Sequence, residues 1–262
     1  HKEEIMKRAL INFTLIVGMI VFVGACKKEE DSSTTATCAG MPIAAAPTCS
    51  DTASGSITGL DNSSLSGVYD PYHAFGIQGY AGVDNTTGCI SNATLVATLG
   101  GPTGSASVMT NMAVTSSSSM ATRHKYFSDT SCSTETASVS FVFTDVTVGD
   151  NVTGLSTSVS GKSGTFPSTA TKVTYKNTCN IIKGSTAAGV TYLDNLFGGA
   201  LDLVVGTEYK CASSSGTRYL LMQAWDTSAL SVGTDGIWYY EDSETAYPTD
   251  WTDDVNTWTK LP

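Results

Sequence analysis

Seven cysteines carry most of the potential chemistry in this 262-residue chain: Cys26, Cys38, Cys49, Cys89, Cys132, Cys179 and Cys211. A zinc site needs thiolates or imidazoles at short, regular spacing. No two of these cysteines form a C-x-x-C pair, and beyond the N-terminal apolar run only His73 and His124 supply imidazole. Neither a metal site nor a cofactor is expected. With Cys26 set aside, six cysteines remain, an even number that suggests disulfides in an exported chain. Six cysteines allow about 15 pairings. The sequential set Cys38–Cys49, Cys89–Cys132 and Cys179–Cys211 is expected, because meandering antiparallel strands keep sequence neighbours adjacent.

The other reactive groups point to no reaction. His73, in Tyr69-Asp70-Pro71-Tyr72-His73, has aromatics and a carboxylate around it, whereas His124, between Arg123 and Lys125, is expected on a solvated strand face. Gly161-Lys162-Ser163 is not a phosphate loop: Ser156 stands where the motif requires glycine, and the surroundings read as strands. There is no G-x-S-x-G. Asp145/Asp150 and Asp253/Asp254 lack the spacing of an EF-hand loop. No catalytic residue is assigned, and an envelope hydrolase built around His73 is the alternative to a non-enzymatic reading.

All four tryptophans, Trp225, Trp238, Trp251 and Trp258, fall near the C-terminus among Tyr239, Tyr240, Tyr247 and many carboxylates. Aromatic platforms edged by acids suit a small apolar or carbohydrate ligand, but aromatics are also ordinary core filling, and the plug of a β core is the favoured reading. Trp238, in an apolar run, is expected to be buried. Trp251 and Trp258 are flanked by Asp and Thr, so at least one is expected to be exposed. Trp251, Trp258, Tyr247 and His73 are the candidate ligand residues.

The chain has 24 acids against 14 bases, a net charge of -10. An acidic surface repels phosphate backbones, so nucleic acid is not an expected partner. Lys7 and Arg8 precede the apolar run Phe13 to Val23, which ends in Val23-Gly24-Ala25-Cys26. This pattern resembles the lipobox of bacterial lipoprotein precursors. The resemblance implies diacylglycerol on the Cys26 thiol, cleavage before it, and acylation of the new amine. Two or three acyl chains hold a protein firmly where one binds only marginally. The implied partner is a membrane, reached through the N-terminal lipid, and the implied place is the cell envelope, with the outer membrane favoured and the periplasmic or surface face open. Lys27-Lys28-Glu29-Glu30-Asp31 also resembles the lysine-and-acid export signal of some surface lipoproteins; a solvated spacer explains it equally well.

The expected organisation is a signal peptide over 1–25, a flexible tether over 26–58 and a single β domain over 59–262. The tether is rich in Ser, Thr, Ala and Pro. A flexible tether of ~30 residues would reach roughly 30 Å. From Leu60 onward, short runs of Val, Thr, Phe and Tyr alternate with Gly, Asn, Asp and Ser clusters. Strands are expected at Ser64–Tyr69, Ile90–Leu99, Ser107–Thr115, Thr122–Phe127, Ala137–Val148, Gly154–Val159, Thr171–Lys176, Leu203–Tyr209, Tyr219–Trp225 and Ile237–Tyr240. In the clearest, Ala137, Val139, Phe141 and Phe143 share one face at period 2. Between the strands, Ala187, Val190, Leu193 and Leu196 stand at helical spacing, predicting one short helix near 186–197.

Leu65-Ser66-Gly67-Val68-Tyr69 resembles the first strand of lipocalin-like barrels, with tyrosine in place of tryptophan, and Thr217-Arg218-Tyr219 is loosely similar to a later motif of that family. The fold class expected is therefore mainly β: an antiparallel barrel or sandwich, with a lipocalin-like barrel favoured by this resemblance. The function expected is a membrane-anchored, non-enzymatic binding or surface-interaction module.

Overall fold

A chain built from short alternating apolar runs buries one face of each by pairing it with its neighbours. The computed structural model describes residues 37–60, 63–70, 83–84, 87–98, 100–160, 165–199, 201–225, 236–241, 245–251 and 256–262. In chain order these form β1 (Thr37–Cys38), β2 (Met41–Ala44), β3 (Ser56–Leu60), β4 (Ser63–Ser66), β5 (Val68–Asp70), β6 (Val83–Asp84), β7 (Cys89–Ile90), helix α1 (Ala93–Thr98), β8 (Ser107–Val114), β9 (Met120–Phe127), β10 (Glu135–Thr153), β11 (Thr169–Gly184), helix α2 (Ala187–Leu196), β12 (Glu208–Ala212), β13 (Arg218–Trp225), β14 (Gly236–Glu241) and β15 (Asn256–Lys260). The protein is mainly β and antiparallel throughout, with one ten-residue helix where the 3.6-residue pattern predicted it.

The main sheet runs β5-β15-β14-β13-β11-β10-β9-β8, and β5 also pairs with β8 through Val68↔Ala113 and Tyr69↔Met112. The pairings thus close into a ring of eight strands, nearly all in sequence order. Its interior is filled by side chains: Tyr69, Met112, Val114, Met120, Val173, Tyr175, Leu220, Met222 and Trp258 form one buried cluster. An eight-stranded ring has an interior just wide enough for such side chains. The β3–β4 hairpin adds Ile57, Leu60 and Leu65 to the same cluster. Near Ala137, Val139, Phe141 and Ile182, a second cluster is closed by Leu193 of α2 and by Cys38 and Cys211.

α2 docks because one residue has no side chain. A Cβ on Gly189 would lie 1.9 Å from the Thr136 carbonyl oxygen. The Thr136 carbonyl also accepts from the backbone N–H groups of Ser185 and Thr186, at 3.0 and 3.2 Å. Thr186 caps the helix, its Oγ1 accepting from Gly189 N at 3.0 Å, which satisfies a donor the first turn would otherwise orphan.

Four sequence expectations are corrected. The strand expected at Ile90–Leu99 stops at Ile90; Asn92 Oδ1 accepts from Leu95 N at 2.9 Å and starts α1, which puts Leu95 and Val96 against Val108 and Tyr126. Gly154–Val159 is irregular, because β10 extends to Thr153 and the chain then turns at Gly154 with φ +80. Leu203–Tyr209 is mostly a turn, with β12 starting at Glu208. The tether expected over 26–58 is packed onto the domain from Thr37 onward: β1 and β2 pair, Ala45 bridges Cys211, and Ser54 N donates to Val114 O at 3.1 Å.

The disulfides explain that last correction. The bonds are Cys38–Cys211, Cys49–Cys179 and Cys89–Cys132. Only Cys89–Cys132 matches the sequential set. The reason lies in the strand period. Asn180 is the register partner of Cys211, so its neighbour Cys179 points to the opposite face of β11. Cys211 turns inward to Cys38, and Cys179 turns outward to Cys49, which sits with Ala46, Ala121 and Val142. Residues 45–55 form a strap over the outer face of the β9–β11 region. Ser140 Oγ donates to Asp51 Oδ2 at 2.6 Å, Arg123 donates to Asn111 Oδ1 and to Asp51 O, and Lys210 Nζ donates to Cys49 O at 2.8 Å.

Candidate functional site

The ligand residues expected from the sequence separate in space. Trp251 is 4% and Trp258 6% exposed, which corrects the expectation that one of them faces solvent. Trp258 belongs to the ring interior. Trp251 packs with Leu155, Phe166 and Leu221 on the outside of the ring, and its indole N–H donates to Pro167 O at 2.7 Å. The acids beside Trp251 misled because one of them turns away: Asp250 accepts from Ser156 N at 2.6 Å, from Ser156 Oγ and from Trp251 N. These bonds, the Ser156 hydroxyl foremost, hold the Asp250 carboxyl below its ordinary pKa. His73 and Cys26 lie outside the described residues, as does the side chain of Trp238.

Tyr247 keeps the role of a surface candidate. Its ring meets Tyr219 edge-on at 5.0 Å, and Lys172 Nζ lies 5.2 Å from its centroid. Tyr219 and Lys172 stand on the outward faces of β13 and β11, opposite in direction to the buried Leu220 and Val173. Partial burial, then Tyr219 and Asp150, push the Tyr247 hydroxyl above its usual pKa, so it stays a neutral donor at neutral pH. Two half-buried rings, an ammonium and a carboxylate nearby can stack on and hydrogen-bond a ligand with both apolar faces and hydroxyls. The sequence reading named Tyr247 but not its neighbours Lys172 and Asp150. Strand alternation carried the signal for Lys172, since it flanks inward-facing Thr171 and Val173.

His124 corrects a second expectation: it points into the ring and is 3% exposed. Arg123 and Lys125 point the other way, as period 2 demands. Its Nδ1 lies 3.1 Å from Thr110 Oγ1, and its ring meets Phe141 edge-on. A hydroxyl beside an imidazole has the form of a nucleophile and base. Here both are sealed in the core, and burial lowers the His124 pKa to about 4. The pair has no substrate access and acts as a structural hydrogen bond.

A groove of about 520 Å³ runs between the Gly100–Thr103 turn and the outer side of α2, with Thr191, Tyr192 and Asn195 along it. Tyr192 donates its hydroxyl to that of Tyr126 at 3.1 Å beneath the groove. Among the described residues no group of three or more His, Cys, Asp or Glu could hold a metal ion, and no helix is long and apolar enough to cross a membrane. No protein-family model matches this chain, and no curated protein matches its sequence.

Proposed function

We propose that the chain is an exported lipoprotein, anchored in the cell envelope through lipid on Cys26, whose β domain is a non-enzymatic binding module. The observation that carries this reading is the set of three disulfides. Disulfides persist in oxidising, extracytoplasmic compartments, and two of them pin the segment that follows the lipobox-like Val23-Gly24-Ala25-Cys26. An outer-membrane location is favoured because Lys27 is not the aspartate that retains many lipoproteins at the inner membrane. The Tyr247–Tyr219–Lys172 platform is the surface proposed to meet a ligand, and its chemistry suits a carbohydrate. The anchoring test is Cys26→Ser followed by detergent phase partition. The variant should remain an uncleaved precursor without lipid; mature-size protein still entering the detergent phase would refute the anchor. The binding test is Tyr247→Ala, titrated with envelope polysaccharide: affinity should fall about tenfold or more, with the melting temperature unchanged, whereas equal binding by both proteins would remove the platform from the account.

A further inference from the structure

The β1–β2 turn and the loop between α2 and β12 meet at one end of the domain. Asp202 N donates to Ala39 O at 2.6 Å, and Gly40, at φ +80, sits so close that a Cβ there would lie 2.9 Å from the Asp202 Cβ. Two residues further on, Val204 to Thr207 make a tight turn. Thr207 N donates to Val204 O at 3.1 Å, and Gly206 takes φ +83. The turn is fixed on both sides: Val204 N donates to the Tyr209 hydroxyl at 3.1 Å, and Gly206 N donates to Gly184 O at 2.8 Å. Leu201 and Leu203 tuck into the cluster under α2, but Val204 and Val205 point out, 62% and 53% exposed. They are the exposed large apolar side chains among the described residues. Solvated turns favour Gly, Asn, Asp or Ser, so two adjacent valines held outward by a rigid turn call for something to cover them.

We infer that Val204 and Val205 enter the head-group region of a zwitterionic phospholipid bilayer, the one that holds the Cys26 lipid, and so set the α2 end of the domain toward the membrane. The inference rests on the lipoprotein reading of Cys26. Chain length argues for this occupant. Cys38 is fixed at this end by its bond to Cys211, and the eleven residues that follow Cys26 up to Thr37 span at most about 40 Å. The tether therefore leaves the domain at this end, on the opposite side from the β3–β4 hairpin. Charge selects the kind of lipid. Asp202 and Glu208 flank the valines and are exposed, and Lys210 lies 3.9 Å from Glu208. With Glu208 offset by Lys210 and faced by Lys183 across the sheet, the rim has no cationic surplus to draw anionic head groups, which leaves zwitterionic ones.

The test uses the full lipidated protein reconstituted in phosphatidylcholine vesicles that carry a photoactivatable diazirine on the lipid. After illumination, lipid-modified peptides are mapped by mass spectrometry. The expected result is lipid on the 201–207 peptide, reduced at least fivefold in Val204→Ser/Val205→Ser while Cys26 acylation and the melting temperature stay unchanged. Acylated Cys26 with no lipid on 201–207, or with lipid on the β3–β4 hairpin instead, would overturn the inference and leave the anchor standing. Absence of acyl groups on Cys26 would overturn both. A dimer abolished by the double substitution, with no lipid on the loop, would assign the valines to a second copy of the chain.

Discussion

His124 shows how much one side chain in the ring interior can govern. An unfolded histidine titrates near ~6.5, whereas burial lowers the folded value to about 4. Between those values the unfolded chain holds a proton that the folded chain does not, so stability falls as pH drops through that window. Above the unfolded pKa both states are neutral and the histidine has no pH effect. The loss by pH 4 is on the order of 3 kcal/mol. His124→Gln should flatten the pH dependence of chemical denaturation between about pH 4 and 6.5; an unchanged slope would place His124 in contact with solvent. The two buried indoles differ in a way that substitution can read. Trp251 Nε1 has an acceptor in Pro167 O, while Trp258 Nε1 has no hydrogen-bond partner among the described residues. Trp251→Phe should therefore cost about 1–3 kcal/mol more than Trp258→Phe, because it strands a carbonyl and the other removes an unmatched donor. Equal melting temperatures for the two variants would contradict this. At this scale the sequence is ambiguous: Asp250 beside Trp251 signals solvent until its bonds to Ser156 are known.

At the scale of elements, regular patterns were legible and packed coil was not. Strict alternation from Ala137 to Phe143 and the 3.6-residue spacing from Ala187 to Leu196 lead directly to β10 and α2. Residues 37–58 have a tether's composition and no period, yet they form the β1–β2 pair, the strap over 45–55 and the start of β3, because what fixes them is covalent and lateral. Cysteine pairing depends on which face of a strand each thiol takes, and that register is a property of the assembled sheet. Reducing neither Cys38–Cys211 nor Cys49–Cys179, peptide mapping should recover those two links; Cys38–Cys49 or Cys179–Cys211 would mean that the strap lies elsewhere. Removing Cys49–Cys179 by paired Ser substitutions should cost about 2–4 kcal/mol in denaturant titrations. Gly189→Ala offers a sign test. In an isolated helix alanine gains about 1 kcal/mol over glycine. Here the added Cβ would strike Thr136 O, so the variant should instead lose about 1–3 kcal/mol. A stabilised variant would show that α2 does not dock on β10.

For the molecule as a whole, the ring of strands, the strap and the acidic surface describe a domain stiffened from outside as well as within. The β3–β4 hairpin adds apolar side chains to the interior, three disulfides tie distant segments, and two of those disulfides hold Cys38 and Cys49 against the sheet. The proposed lipoprotein hangs its domain from a lipid on Cys26 in an oxidising compartment. Intact-mass measurement of the protein purified from cell envelopes tests it most directly. The expected mass is that of a chain starting at Cys26, heavier by diacylglycerol and an amide-linked acyl group, and lighter by the hydrogens of three disulfides. A mass that retains residues before Cys26, or one that begins at Cys26 without lipid, would contradict it.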